Sequence, residues 1–132
     1  MRLALTVMCL ALGLVACVSK TYDPKALIDI KTDARVQADV FAITRSFGNK
    51  NGFTVLESDS LPRQGRLVSQ ILLKRDDGVV MSMDNFMDAG LLTAFFYAEK
   101  PQADWRSSEK AWEESVVKTV GNRGVVTDVP VK

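Results

Sequence analysis

The sequence contains no histidine, and its two cysteines, Cys9 and Cys17, both fall within the first 17 of 132 residues. The missing imidazole removes the commonest general base and the commonest metal ligand together. Beyond Cys17 no thiol remains to form a disulfide, hold a metal or act as a nucleophile. Neither sign of charge prevails, with 17 Lys and Arg against 16 Asp and Glu. No basic excess therefore marks out a nucleic-acid or anionic-lipid face, and no acidic block marks out a DNA mimic. Internal repeats, low-complexity tracts and the G-x-S-x-G elbow of serine hydrolases are absent as well. No cofactor is expected.

What the chain does have is one long apolar run, Leu3 to Leu14, preceded by Arg2 and followed by Val15-Ala16-Cys17. A positive start and an apolar stretch of roughly 7–15 residues read as a secretory signal, too short to span a bilayer comfortably. Leu14-Val15-Ala16-Cys17 places an apolar branched residue, a tolerant position, a small residue and a Cys in that order. In this it resembles the lipobox of bacterial lipoprotein precursors. The resemblance covers the first 17 residues only. It implies cleavage before Cys17, a diacylglyceryl thioether on its sulfur, and palmitate or a similar chain on its new amino group. By resemblance to the sorting preference of Gram-negative lipoproteins, Val18 in place of Asp implies the outer membrane over inner-membrane retention, with the domain facing the periplasm. The competing readings are an ordinary secretory signal that leaves Cys17 as a free thiol, and an uncleaved helical anchor. Two or more acyl chains, at about 0.8 kcal/mol per buried methylene, hold a protein on a membrane essentially permanently.

Removing residues 1–16 leaves 116, enough for one core and too few for two. Residues 17–25 then form the acylated Cys and a short tether, and 26–132 a single domain. Asp23-Pro24 resembles a helix start, with Asp as N-cap and Pro at the first helical position. Leu27 to Thr32 reads equally as helix or strand. From Asp33 onward, Val36, Val40, Ile43 and Phe47 form one helical stripe, ended by Gly48. Strands are expected over Phe53–Glu57, Leu67–Arg75, Val79–Asn85 and Leu91–Ala98, with 58–66 a loop and Phe86–Gly90 turn-like. A three-residue Asp76-Asp77-Gly78 loop pairs Arg75 with Val79, Leu73 with Met81 and Ile71 with Met83, which keeps the apolar residues on one face. Asp104 is a plausible N-cap for a second helix with a Trp105, Trp112, Val116, Val120 stripe. Whether Val125–Val131 joins the sheet stays open. The expected architecture is α+β, a two-layer sandwich of two amphipathic helices on one face of a roughly four-stranded antiparallel sheet.

The acidic groupings are weak as sites. Asp76-Asp77 before Gly78 is ordinary turn chemistry. Asp84-Asn85 with Asp88 lacks the spacing of a calcium loop and its closing Glu. Asp84 and Glu57 make a carboxylate pair of the kind chance supplies. Trp105 and Trp112, seven apart, point to core packing before a stacking platform. The stronger signal is Leu91–Ala98, apolar on both faces, where a sheet covered on one side alternates. If both helices cover one face, Val68, Leu72, Val80, Phe95 and Tyr97 lie on the other, rimmed by Gln70, Lys74, Ser82 and Asp84. Such a patch marks an interface unless 125–131 or 27–32 folds over it. The expectation is a non-enzymatic envelope lipoprotein that binds an envelope protein, or itself, as an assembly or accessory module. The alternatives are a periplasmic inhibitor or immunity protein against a toxin or wall hydrolase, and a wall- or lipid-modifying enzyme.

Overall fold

The computed structural model describes residues 23–63 and 66–131. The lipobox and Cys17 lie outside these residues. The elements run β1 (Ala26–Thr32), α1 (Ala34–Lys50), β2 (Thr54–Arg63), β3 (Arg66–Lys74), β4 (Val79–Asp88), β5 (Leu91–Ala98) and α2 (Trp105–Val120). A 3₁₀ turn (Gly121–Arg123) then leads to β6 (Gly124–Val129). The strands form a six-stranded sheet in the order β2-β3-β4-β5-β1-β6, antiparallel at every pairing. The class is α+β, as expected, but two strands join the expected four.

Both additions come from the chain ends. Residues 26–32 are a strand, not a helix: Ile28 and Ile30 are fully buried with period two, and β1 slots between β5 and β6. The Asp-Pro pair at 23–24 therefore caps nothing. The N-cap of α1 is Asp33, whose Oδ1 accepts from the Val36 backbone N–H at 2.9 Å. Val125 to Val129 does join the sheet, docked along β1 at the edge, with Pro130 just beyond it. The expected 58–66 loop is also shorter than thought. β2 runs on to Arg63 across a register shift between Ser58 and Leu61. Likewise β4 continues through Phe86 to Asp88, with a second irregularity against β5 between Asp84 and Asp88.

The β3–β4 hairpin has the expected register: Leu73 opposes Met81 and Ile71 opposes Met83. The Arg75 N–H donates to the Val79 carbonyl, and Gly78 takes φ +97°, a conformation that suits Gly alone.

Both helices lie on one face. Val36, Val40 and Phe47 of α1, and Trp112, Val116 and Val120 of α2, share a single core with Ile28, Ile30, Ile71, Leu73, Met81, Met83, Leu92, Ala94 and Phe96. Thr44 replaces Ile43 at the centre of the α1 stripe, and Ile43 is only partly buried. The reason is a hydrogen-bond relay: Trp112 Nε1 donates to Thr44 Oγ1 at 2.9 Å, and Thr44 donates to the Val40 carbonyl at 2.7 Å. The buried indole N–H thereby finds its partner. At Gly48 a Cβ would lie 2.8 Å from side-chain atoms of both Leu73 and Val55, so the end of α1 sits directly on the sheet.

Strand directions give the sheet two ends. At one, Lys25 precedes β1, α1 finishes, the 75–78 turn folds and α2 begins. Arg75 ties this end together. It donates to the Asp77 carboxylate through Nε and Nη2 at 2.9 Å each, to the Asn51 carbonyl at 3.3 Å and to Ser108 Oγ at 3.1 Å. Its guanidinium also lies over the Phe53 ring at 4.6 Å. At the other end Gln37 Nε2 donates to the Ala89 carbonyl at 2.7 Å and to the Thr32 carbonyl at 3.3 Å, holding the β4–β5 turn against α1.

Candidate interaction face

Register places side chains of neighbouring strands in rows across the face opposite α1 and α2. One row crosses all six strands: Leu56, Leu72, Ser82, Phe95, Leu27 and Val129. The row beside it is Ser58, Gln70, Asp84, Thr93, Asp29 and Thr127. A third, shorter row runs Thr54, Lys74, Val80 and Tyr97. The face is thus striped, five apolar residues around one Ser in the first row and an all-polar row next to it.

The five residues singled out from sequence do not contribute alike. All lie on this face, since none belongs to the core under the helices. Val68 and Val80, however, are only 2% and 1% exposed and offer little surface. Leu72, Phe95 and Tyr97 are half-buried. The Phe95 and Tyr97 rings stack with centroids 6.2 Å apart. Leu27, half-buried, and Leu56, 57% exposed, extend the stripe to β1 and β2, which supplied none of the five residues singled out from sequence. Neither 27–32 nor 125–129 folds over the face, because both are strands within the sheet.

The polar row is acidic and partly desolvated. Burial pushes the Asp84 carboxyl above its usual range, opposed by the Phe86 N–H that it accepts at 3.0 Å. Thr93 Oγ1 donates to Asp29 Oδ1 at 3.3 Å. Burial likewise raises the Tyr97 hydroxyl; a hydrogen bond with Ser82 opposes the shift and the Asp84 charge adds to it. Lys74 at the margin pairs with Glu99 at 3.2 Å.

The other acidic candidates are structural. Asp77 is held below the ordinary carboxylate range first by its hydrogen bonds from Arg75. Asp88 Oδ1 accepts from the Gly90 N–H at 2.7 Å, which closes the β4–β5 turn. Glu57 opposes Ile71 and so lies on the helix side, where Arg45 donates to both its carboxylate oxygens at 2.7 Å. Asp84 lies on the opposite side of the sheet. These two carboxylates therefore cannot act as a catalytic pair. Trp112 is core, while Trp105 is half-buried with the Arg106 guanidinium 5.2 Å from its ring.

One grouping has no counterpart among the sequence motifs: Glu109 and Glu113 of α2. Their carboxylates meet that of Asp128 on β6, with one oxygen from each lying within 4.8 Å of the others. Glu113 is pushed up to about 8, first by burial, then by hydrogen bonding to Glu109 and by the charge of Asp128. The three acids line a shallow groove of about 360 Å³ with Lys25, Leu27, Trp105, Val129 and Val131. Glu109 and Glu113 are one helical turn apart, a visible signal, but Asp128 reaches them only once β6 is placed beside β1.

No protein-family model matches the chain, and no curated protein matches it.

Proposed function

We propose that this protein is a lipid-anchored envelope lipoprotein that docks a protein partner on the sheet face opposite α1 and α2. Cys17 carries the acyl chains, and the domain stands on the periplasmic side of the outer membrane as a non-enzymatic assembly or accessory module. The observation that carries the docking is the six-strand apolar row through Leu72, Phe95 and Leu27, flanked by the carboxylates of Asp84 and Asp29. A surface with an apolar strip beside a strip of hydrogen-bond donors or cations complements it; such a partner desolvates the apolar row and pairs the polar one.

Introducing a negative charge by Phe95→Glu tests this reading. Co-purification with envelope proteins should be lost while thermal unfolding stays cooperative, whereas Val117→Glu on the exposed side of α2 should retain capture. Unchanged capture by Phe95→Glu contradicts the proposal.

The two carboxylates on this face also favour a second reading, an inhibitor or immunity protein that presents acids to a basic enzyme. In that case affinity should fall steeply with added salt.

A further inference from the structure

We infer that the outer edge of β6 pairs with β6 of a second copy of this chain, antiparallel about a two-fold axis through Val126, so that two sheets continue as one. This pairing does not depend on the docking proposed above.

The first argument is the state of the two edge strands. β2 is blunted: its register shifts between Ser58 and Leu61, and Pro62 follows with no N–H to offer. β6 keeps one register with β1 from Gly124 to Val129, with neither bulge, lysine nor proline inside it. Alternation decides which groups it presents. The Thr32 N–H donates to the Gly90 carbonyl, so the even-numbered residues of β1 bond to β5, and Leu27, Asp29 and Lys31 bond to β6. Their partners Val125, Thr127 and Val129 are thereby used, and Gly124, Val126 and Asp128 turn their backbone N–H and C=O groups outward. Among the described residues nothing bonds to those groups. Val125, 59% exposed, and Val131, 40% exposed, leave apolar surface beside them.

The second argument is self-complementarity. The outward set is symmetric about Val126. An antiparallel second copy sets Val126 against Val126 and Gly124 against Asp128, and each facing pair exchanges both N–H···O bonds. Side chains on the striped side then match Val125 with Thr127 of the other copy. The neighbouring axes fit less well. One at Thr127 sets Gly124 against Pro130, which has no N–H, and one at Val125 sets Asp128 against Asn122 in the 3₁₀ turn. The same patch serves both copies, so the assembly closes at two.

The third argument is charge. The axis at Val126 brings Arg123 of each copy opposite Val129 of the other, next to Asp128 and the groove that Glu109 and Glu113 line. Arg123 is half-exposed; its Nη2 donates to the Thr119 carbonyl at 2.6 Å, while Nη1 lies 3.6 Å from Asp39, too far for a hydrogen bond. A cation thus meets the acids of the other copy at both ends of the seam, which selects this arrangement over a misaligned one. Both striped faces turn the same way in such a dimer, since Val125 lies on that side in each copy.

The test is native mass spectrometry of the full-length protein released from detergent at micromolar concentration, with thermal unfolding as the check on the fold. The unaltered chain should be dimeric. Val125→Glu with Thr127→Glu sets like charges against each other in both facing pairs and should leave it monomeric. Val125→Glu with Thr127→Lys sets opposite charges together and should restore the dimer, an outcome specific to this register. Arg123→Glu leaves β6 unaltered and should lower the dimer fraction several-fold, whereas Leu56→Glu on β2 should not change it. A monomeric unaltered chain, a dimer that survives Val125→Glu with Thr127→Glu, or a monomer for Val125→Glu with Thr127→Lys overturns the pairing. If the doubly acidic variant loses its cooperative unfolding, the Thr127→Lys combination and Arg123→Glu decide the matter: loss of the dimer in the first, or no change in the second, overturns it.

Discussion

The two faces of this sheet are made from the same strands and obey different rules. Beneath the helices, Ile28, Ile30, Ile71, Leu73, Met81, Met83, Leu92 and Phe96 are apolar without a break. Acids reach that side on the edge strands, Glu57 on β2 meeting Arg45 and Asp128 on β6 meeting Glu113. On the other side the composition changes row by row, apolar through Leu72 and Phe95 and polar through Asp84 and Thr93. A face covered by a second layer must exclude unpaired polar groups everywhere, because each buried orphan costs about 1–3 kcal/mol. The face turned away from α1 and α2 is free of that demand from them and carries a pattern, and patterns serve recognition.

Truncation should separate the two faces most sharply. Trp112→Ala removes a fully buried indole and its hydrogen bond to Thr44, and should destabilise the fold by about 3–5 kcal/mol in chemical denaturation. Phe95→Ala should lower stability by less than half of that, since its ring is only half-buried. Equal losses would mean that the striped face is as much core as the covered one.

Arg75→Ala comes next. It deletes hydrogen bonds to Asp77, Asn51 and Ser108 and a cation–π contact with Phe53, at an end where α1, the β3–β4 turn and α2 converge. A loss of about 2 kcal/mol is expected, moderated by partial exposure of the guanidinium. Since Arg75 touches neither stripe, partner capture through Phe95 should persist in this variant.

The smallest effect concerns the margin of the covered face. Unfolded, the Glu113 carboxyl ionises near its ordinary 4.5; folded, it keeps its proton up to about 8. Between those values the unfolded chain releases a proton that the folded chain retains, so stability should fall as pH rises through this window and level off above about 8. With Glu113 partly exposed and screened by water, the total change should be no more than about 1 kcal/mol. Stability curves across this range for the native protein and for Glu113→Gln check it: the variant should lack most of the slope.

What was legible in the sequence was local. Asp76-Asp77-Gly78 set the β3–β4 register, because any slip would have turned Met81 and Met83 away from Leu73 and Ile71. The missing parts depend on distant pairings. β1 offers only Ile28 and Ile30 as its inward signal, and Asp23-Pro24 imitates a helix start ten residues before the true cap at Asp33. β6 finds its place only through β1, so the Asp128 contact with Glu113 and the far half of the apolar row, at Leu27 and Val129, had no local trace. Among the proposed interface residues, the near-complete shielding of Val68 and Val80 was likewise invisible in one dimension.

The most direct test of the striped face is photocrosslinking in intact cells, with a photoreactive amino acid placed at Phe95 or, for comparison, at Val117. A discrete covalent adduct with an envelope protein from position 95, and none from 117, is the predicted result. Adducts from 117 alone, or an identical pattern from both positions, would contradict the assignment of this face as the docking surface.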